Sequence, residues 1–202
     1  MPVVTTYSPS EAYKISPSVY RTNLTGLLYL PFTRYEDNRG FFAEISRIPE
    51  FEAVTGQPFV VKQVNQAQSN TNVVRGFHAE DWNKLVMVAT GKCFCALVDV
   101  RPESSTFGQA ETLVLGEGEG TLTGALYIPK GFANSVCVLA GPVNYIYCVD
   151  ALYSQRDPKN DVAISLFDPD INLDWPIPRE QMIYSQRDTD SQTLRQRFPE
   201  KF

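Results

Sequence analysis

The sequence predicts an all-β fold, an antiparallel sandwich or barrel with short peripheral helices. Apolar, β-branched runs of strand length recur at regular spacing, turns containing glycine or proline separate them, and almost no stretch carries the 3.6-residue apolar period of an amphipathic helix. A chain of 202 residues suits one large β domain, and 43% hydrophobic against 20% charged residues supplies a substantial core. The net charge of −5 argues against a general nucleic-acid or membrane surface, which calls for clustered Lys and Arg. A few cations in a cleft can still bind a small anion.

Taken in order, the amino terminus shows no basic segment followed by an apolar run, and no apolar run approaches the roughly 20 residues that span a bilayer. A soluble cytoplasmic protein is the expectation. Leu27-Leu28-Tyr29-Leu30 reads as an edge or partner-seeking strand, and Asp37-Asn38-Arg39-Gly40 as a polar turn at the rim of a pocket. Pro49 to Gly56 reads as a short helix, with proline at its start, acids in its first turn and glycine as its stop. Residues 59–69 alternate, placing Gln63, Asn65, Ala67 and Ser69 on one face and Val60, Lys62 and Val64 on the other. That neutral polar face suits the lumen of a ligand-binding barrel.

Lys84–Arg101 is apolar and β-branched, with Thr90-Gly91-Lys92 reading as a hairpin turn. Strands follow at Glu111–Leu115, Leu126–Ile128, Val136–Leu139 and Tyr145–Tyr153, and a polar tail carries one short helix near Ser191–Arg197. No repeat or low-complexity linker interrupts the chain. A single domain over 1–202 follows, with its core at about 20–176 and a tail at 177–202. Cys93, Cys95, Cys137 and Cys148 lie in apolar strand-like runs, where small apolar packing is their expected use.

Chemistry concentrates between Val73 and Val88. This stretch holds the one histidine of the chain, His78, three positions after Arg75 and six before Lys84. Histidine is the side chain that exchanges protons near neutral pH without help. Taken alone, a strand histidine is more often a hydrogen-bonded structural residue. Arg75 and His78 have opposite parity, so both reach one pocket only if the strand bends, and Gly76 permits a bend.

The motifs Tyr35-Glu-Asp-Asn-Arg-Gly-Phe-Phe-Ala-Glu44, Gln63-x-Asn65, Val73-Val-Arg-Gly-Phe-His78, Lys84-Leu-Val86, Val98-Asp-Val-Arg101, Ile128-Pro-Lys-Gly-Phe-Ala133 and Trp175-Pro176 occur in that order. The chain thereby resembles the dTDP-4-dehydrorhamnose 3,5-epimerase family of nucleotide-sugar enzymes. The resemblance implies a cupin-type jelly roll and a homodimer with exchanged N-terminal strands. It also implies inversion at C3 and C5 of a 4-keto-6-deoxy sugar carried on dTDP, with no metal and no organic cofactor. Independently, a metal-binding cupin generally uses several histidines, and this chain has one.

The resemblance also implies roles. His78 matches the base, Asp188 the carboxylate that pairs with it, Lys84 the cation at the enolate oxygen and Tyr147 the proton donor on the far face. Arg75 matches a diphosphate contact, Arg39, Glu44, Gln63 and Asn65 match substrate-contacting positions, with Arg39 acting across the dimer, and Tyr153 matches a second pocket tyrosine that packs on the base or sugar. Asn134, though not the family's residue, is counted with the substrate-binding set because its amide can bond a sugar hydroxyl. Without the resemblance, Asp188 would read as a solvated tail carboxylate and the tyrosines as a core stripe.

Two segments depart from the family pattern. Ala133-Asn134-Ser135 stands where a histidine is usual, and Ala79-Glu80-Asp81-Trp82 stands where an aromatic and a glutamine are usual. These leave a single-carbon epimerase acting on another 4-keto nucleotide sugar, and a non-catalytic sugar-nucleotide-binding cupin, as alternatives.

Overall fold

The structure, a computed structural model, describes residues 3–202. Its strands in chain order are β1 (Val4–Thr6), β2 (Lys14–Ser16), β3 (Val19–Arg21), β4 (Leu28–Pro31), β5 (Arg34–Asp37), β6 (Gly40–Ala43), β7 (Gln63–Ser69), β8 (Val74–Ala79), β9 (Lys84–Asp99), β10 (Ala110–Gly116), β11 (Gly124–Ile128), β12 (Phe132–Val149) and β13 (Val162–Ala163). The helices are α1 (Ile48–Thr55), α2 (Gln186–Asp190) and α3 (Leu194–Arg197). The all-β expectation holds.

The long strands β9 and β12 organise the rest. They pair antiparallel, Lys84–Val88 against Tyr145–Val149 and Cys93–Asp99 against Phe132–Val138. The first half of β9 also pairs with β11 and its second half with β10. The first half of β12 pairs with β8 and its second half with β7. One layer therefore runs β10-β9-β12-β8-β13 and the other β2-β3-β4-β11-β9-β12-β7, packed face to face as a jelly-roll sandwich.

Thr90-Gly91-Lys92 is not a hairpin turn. β9 runs through it, and the residues facing the core switch from Val86 and Val88 to Cys93, Cys95 and Leu97. β12 switches in the same place, from Val136 and Val138 to Val143 and Tyr145, where its register with β9 shifts. The glycine serves a paired bend, because both strands pass from one layer to the other together. A Cβ on Gly91, whose φ is +81°, would stand 2.7 Å from the Ala140 carbonyl oxygen.

β4 is likewise not an edge strand: it pairs with β3 and β11, and the β2–β3 hairpin occupies the side expected to be open. The helix expected at 49–56 forms, Gly56 closing it in the left-handed conformation at φ 66°. It lays Phe51 against Tyr127 of β11 on the outer face of the second layer, with ring centroids 4.9 Å apart. The outer face of the first layer is covered by the C-terminal segment, which buries Leu194 and Phe198 and packs Trp175 against Phe77. A helix near 191–197 was expected and α3 is there, with a Thr193–Gln196 capping box. α2, capped by Ser185, was not expected.

Candidate active site

A cleft of about 580 Å³ opens between the layers, walled by β7, β8, β9 and β12 and closed by residues 183–188. The tail reaches it because Ile183 pairs with β8, its carbonyl accepting from the Val74 N–H at 2.8 Å and its N–H donating to the Asn72 carbonyl at 2.8 Å. α2 then starts at Ser185, whose hydroxyl accepts from the Asp188 N–H.

This placement brings Asp188 to His78. His78 Nε2 lies 2.8 Å from Asp188 Oδ1, and the carboxylate is almost fully buried. A carboxylate accepts only, so Nε2 carries a hydrogen, and in the neutral ring the lone pair then lies on Nδ1. The Asp188 carbonyl accepts from the Leu166 N–H at 3.0 Å, tying the pair to the strand-covering segment. The sequence places Asp188 110 positions from His78; only the return of the tail joins them.

From the other layer, Lys84 at the start of β9 and Tyr147 of β12 face the same cleft. Lys84 is 6% exposed, and its ammonium donates to the Glu80 carboxylate. Burial works to raise the Glu80 carboxyl, but the charge and hydrogen bond of Lys84, aided by His78, hold it below the usual carboxylate range. Burial raises the Tyr147 phenol and the Glu80 charge adds to this; Arg75 and Arg156 oppose it without cancelling it. The Tyr147 phenol therefore stays protonated at neutral pH. Tyr145 sits beside it, ring centroids 6.1 Å apart, and donates to Asn134 Oδ1 at 3.3 Å.

Arg75 and His78 both line the cleft, and the expected bend is what allows it. Opposite Asn134 and Val136, two positions apart on β12, lie His78 and Arg75, three apart on β8. The extra residue is a bulge that restores both side chains to one face. Gly76 is required there, since φ is +123° and a Cβ would stand 2.6 Å from the Asn134 carbonyl oxygen and 2.7 Å from Ser135. Ser69 Oγ accepts from Arg75 Nε at 2.9 Å and aims the guanidinium.

Other candidates fall outside the cleft. Arg39 sits at the tip of the β5–β6 hairpin, paired with Asp37 and largely exposed; that hairpin bonds to no other strand among the described residues. Glu44 lines a separate cleft of about 660 Å³ beside α1, where it pairs with Arg47. Gln63 and Asn65 do lie on the inward face of β7, as alternation predicts, and bond to each other at 2.7 Å. Tyr153 shares a parity with Tyr147 but not a face, because β12 ends at Val149 and the chain turns; its ring packs against Trp82 and the Arg156 guanidinium instead.

Two charged cleft residues are not among the candidates the sequence offers. Glu80 shares the parity of His78 and stands four before Lys84, a pattern that would have placed it; Arg187 adjoins Asp188. Among the described residues no group of three or more His, Cys, Asp or Glu is placed to hold a metal ion, and no helix is long and apolar enough to cross a membrane.

The family description dTDP-4-dehydrorhamnose 3,5-epimerase matches residues 21–196, most of the chain. The chain belongs to the dTDP-4-dehydrorhamnose 3,5-epimerase family. Its relative of that name from Escherichia coli is 34% identical over 165 residues, covering 79% of this chain and 85% of the relative. Among solved structures, the dTDP-6-deoxy-D-glucose-3,5-epimerase of Legionella pneumophila in complex with dTDP-4-keto-L-rhamnose superposes with a TM-score of 0.76. It is 31% identical, covering 87% of this chain and 92% of that one. A 3'-monoepimerase of Streptomyces bikiniensis in complex with dTDP-quinovose superposes at 0.78 with 26% identity, covering 89% of each chain. The cupin-type epimerase fold and the isomerase class follow from this family.

Proposed function

We propose that the chain inverts C3 and C5 of dTDP-4-dehydro-6-deoxy-D-glucose, giving dTDP-4-dehydro-L-rhamnose. The observation that carries this reading is one cleft in which a carboxylate-oriented histidine from one layer faces an ammonium and a protonated phenol from the other. Carbons flanking a C4 ketone are acidic because the carbanion spreads onto oxygen. His78 Nδ1 takes the C–H proton, the electron pair moves to the carbonyl oxygen, and Lys84 stabilises the enolate. Tyr147 then delivers a proton to the carbon from the opposite side. Solvent removes the proton from His78 and restores the one lost by Tyr147, closing the cycle.

Arg75 supplies a planar fork for the diphosphate and Asn134 a hydrogen-bonding amide for a sugar hydroxyl. Gln63 and Asn65 extend the polar wall along β7. The β5–β6 hairpin, with Tyr35, Phe41 and Phe42 exposed, and the open edge of β2 support a homodimer with exchanged N-terminal strands. In that assembly the hairpin would carry Arg39 to the partner's cleft. The cytoplasm, where nucleotide sugars are made, is the expected location.

The test is proton NMR in D₂O with dTDP-4-keto-6-deoxyglucose, beside His78→Ala. Deuterium at both C3 and C5, lost in the variant, is the expected result. Exchange at one carbon favours the single-carbon reading, which the likeness to a 3'-monoepimerase and Asn134 support. Binding without exchange refutes catalysis on this sugar and leaves the binding cupin.

A further inference from the structure

Glu80 is an acid inside the cleft with no part in the proton transfers above. We propose that Glu80 is a positioning residue of this reaction: acting through Lys84, its carboxylate holds the ammonium on the wall facing the base and places a fixed negative charge beside the phenol donor. The proposal rests on the 4-keto-sugar reading given above.

The geometry carries it. Glu80 and Lys84 stand at the two ends of the short connection from β8 to β9, and Lys84 Nζ donates across it to Glu80 Oε2. An ammonium so little exposed is not held in protein without a counter-charge. The connection is braced on all sides, so the carboxylate has a fixed position. Asn83 donates to both Asp150 oxygens, from its backbone N–H at 2.9 Å and its side-chain amide at 2.6 Å, and its side-chain Oδ1 accepts from the Lys130 N–H at 2.9 Å. Asp81 accepts from the Asn160 amide and pairs with Lys130.

A side chain that only filled space here would not need a charge. Glu80, however, lines the same cleft as Tyr145 and Tyr147, and its charge favours the protonated form of each. The groups facing Tyr147 from the other elements are Arg75 and His78 of β8, Lys84 of β9, Arg187 and Asp188 of the tail, and Arg156 beyond β12; β7 presents only neutral side chains. Glu80 is thus the anion that offsets Arg75 and Arg156 at the phenol.

Two measurements on Glu80→Gln test this. In protein labelled at tyrosine Cζ, the Tyr147 resonance, assigned by its loss in Tyr147→Phe, should titrate at lower pH in E80Q than in the wild type. Glu80→Asp, which keeps the charge, should leave it near the wild-type position. This readout needs no substrate, so it decides the charge effect even if the sugar assignment fails. In turnover, E80Q should lower kcat by on the order of 10²-fold, the scale of a misplaced group, and cost much less in a Lys84→Met background, where only its charge effect on the phenol is left to lose. An unmoved Tyr147 titration, or an equal loss with and without Lys84, overturns the proposal.

Discussion

Replacing Asp188 by Asn isolates what the carboxylate does for His78. The side chain keeps its volume, and the backbone bonds that anchor it, from the Leu166 N–H to its carbonyl and from its own N–H to Ser185, stay in place. What changes is the partner at Nε2, 2.8 Å away. A carboxylate accepts from Nε2–H and leaves Nδ1 basic. An amide can donate to Nε2 instead, which moves the ring hydrogen to Nδ1 and blocks the base. A lost general base costs about 10²–10⁴-fold in rate, which corresponds to roughly 2.7–5.5 kcal/mol of barrier. The charge-assisted hydrogen bond itself is worth about 1.5–3 kcal/mol, or roughly 10–150-fold; with the base blocked as well, a loss near 10³-fold, the middle of the general-base range, is the central expectation. The assay is the rate of deuterium incorporation at C3 and C5, with KM and thermal unfolding measured in parallel. KM and Tm should stay close to wild type while kcat falls. A variant that retains a third or more of wild-type kcat would refute the orienting role.

Three other outcomes follow from the same geometry. Tyr147→Phe should still exchange C–H for C–D through His78 but return the proton on the same face, so washout persists while inversion falls by about 10²-fold; equal loss of both on NMR would remove Tyr147 as the donor. Asp99→Asn should cost about 3 kcal/mol in urea unfolding at pH 7, because the fully buried carboxylate binds Arg101, Ser104 and Thr106 at 2.5–2.8 Å. Burial works against this carboxyl, but Arg101 and the two hydroxyls hold it below its usual range, so its stabilisation is complete above about pH 4 and is lost as pH falls through the lowered value; the gap between the two proteins should close in acid. Gly76→Ala should lower both stability and nucleotide binding, since the Cβ collides with β12 and the bulge that turns Arg75 into the cleft cannot form. Retention of full affinity by calorimetry would show that Arg75 reaches the ligand without the bulge.

The features legible in the sequence are those with local physical causes. Strand alternation set the inward face of β7, proline and glycine bracketed α1, and the single histidine marked where proton chemistry sits. The parity conflict between Arg75 and His78, with Gly76 between them, pointed to a bend that the β8–β12 bulge supplies. Local patterns failed where a partner decides the outcome. Thr90-Gly91-Lys92 has the composition of a turn, and only the matching bend of β12 keeps β9 continuous. Tyr153 keeps its parity with Tyr147 but loses the shared face, because strand ends depend on hydrogen-bonding neighbours rather than on the residues themselves.

The site divides along the same line. His78, Arg75 and Lys84 lie within ten residues, and their chemistry is readable from residue type and order. The tail that returns over β8, the burial of Asp188 against His78, the clamp of Glu80 on Lys84, and the meeting of two layers across one cleft exist only after packing. Each depends on contacts between segments far apart in the chain or on burial that gives a charge its partner. Spacing along a sequence carries no measure of either.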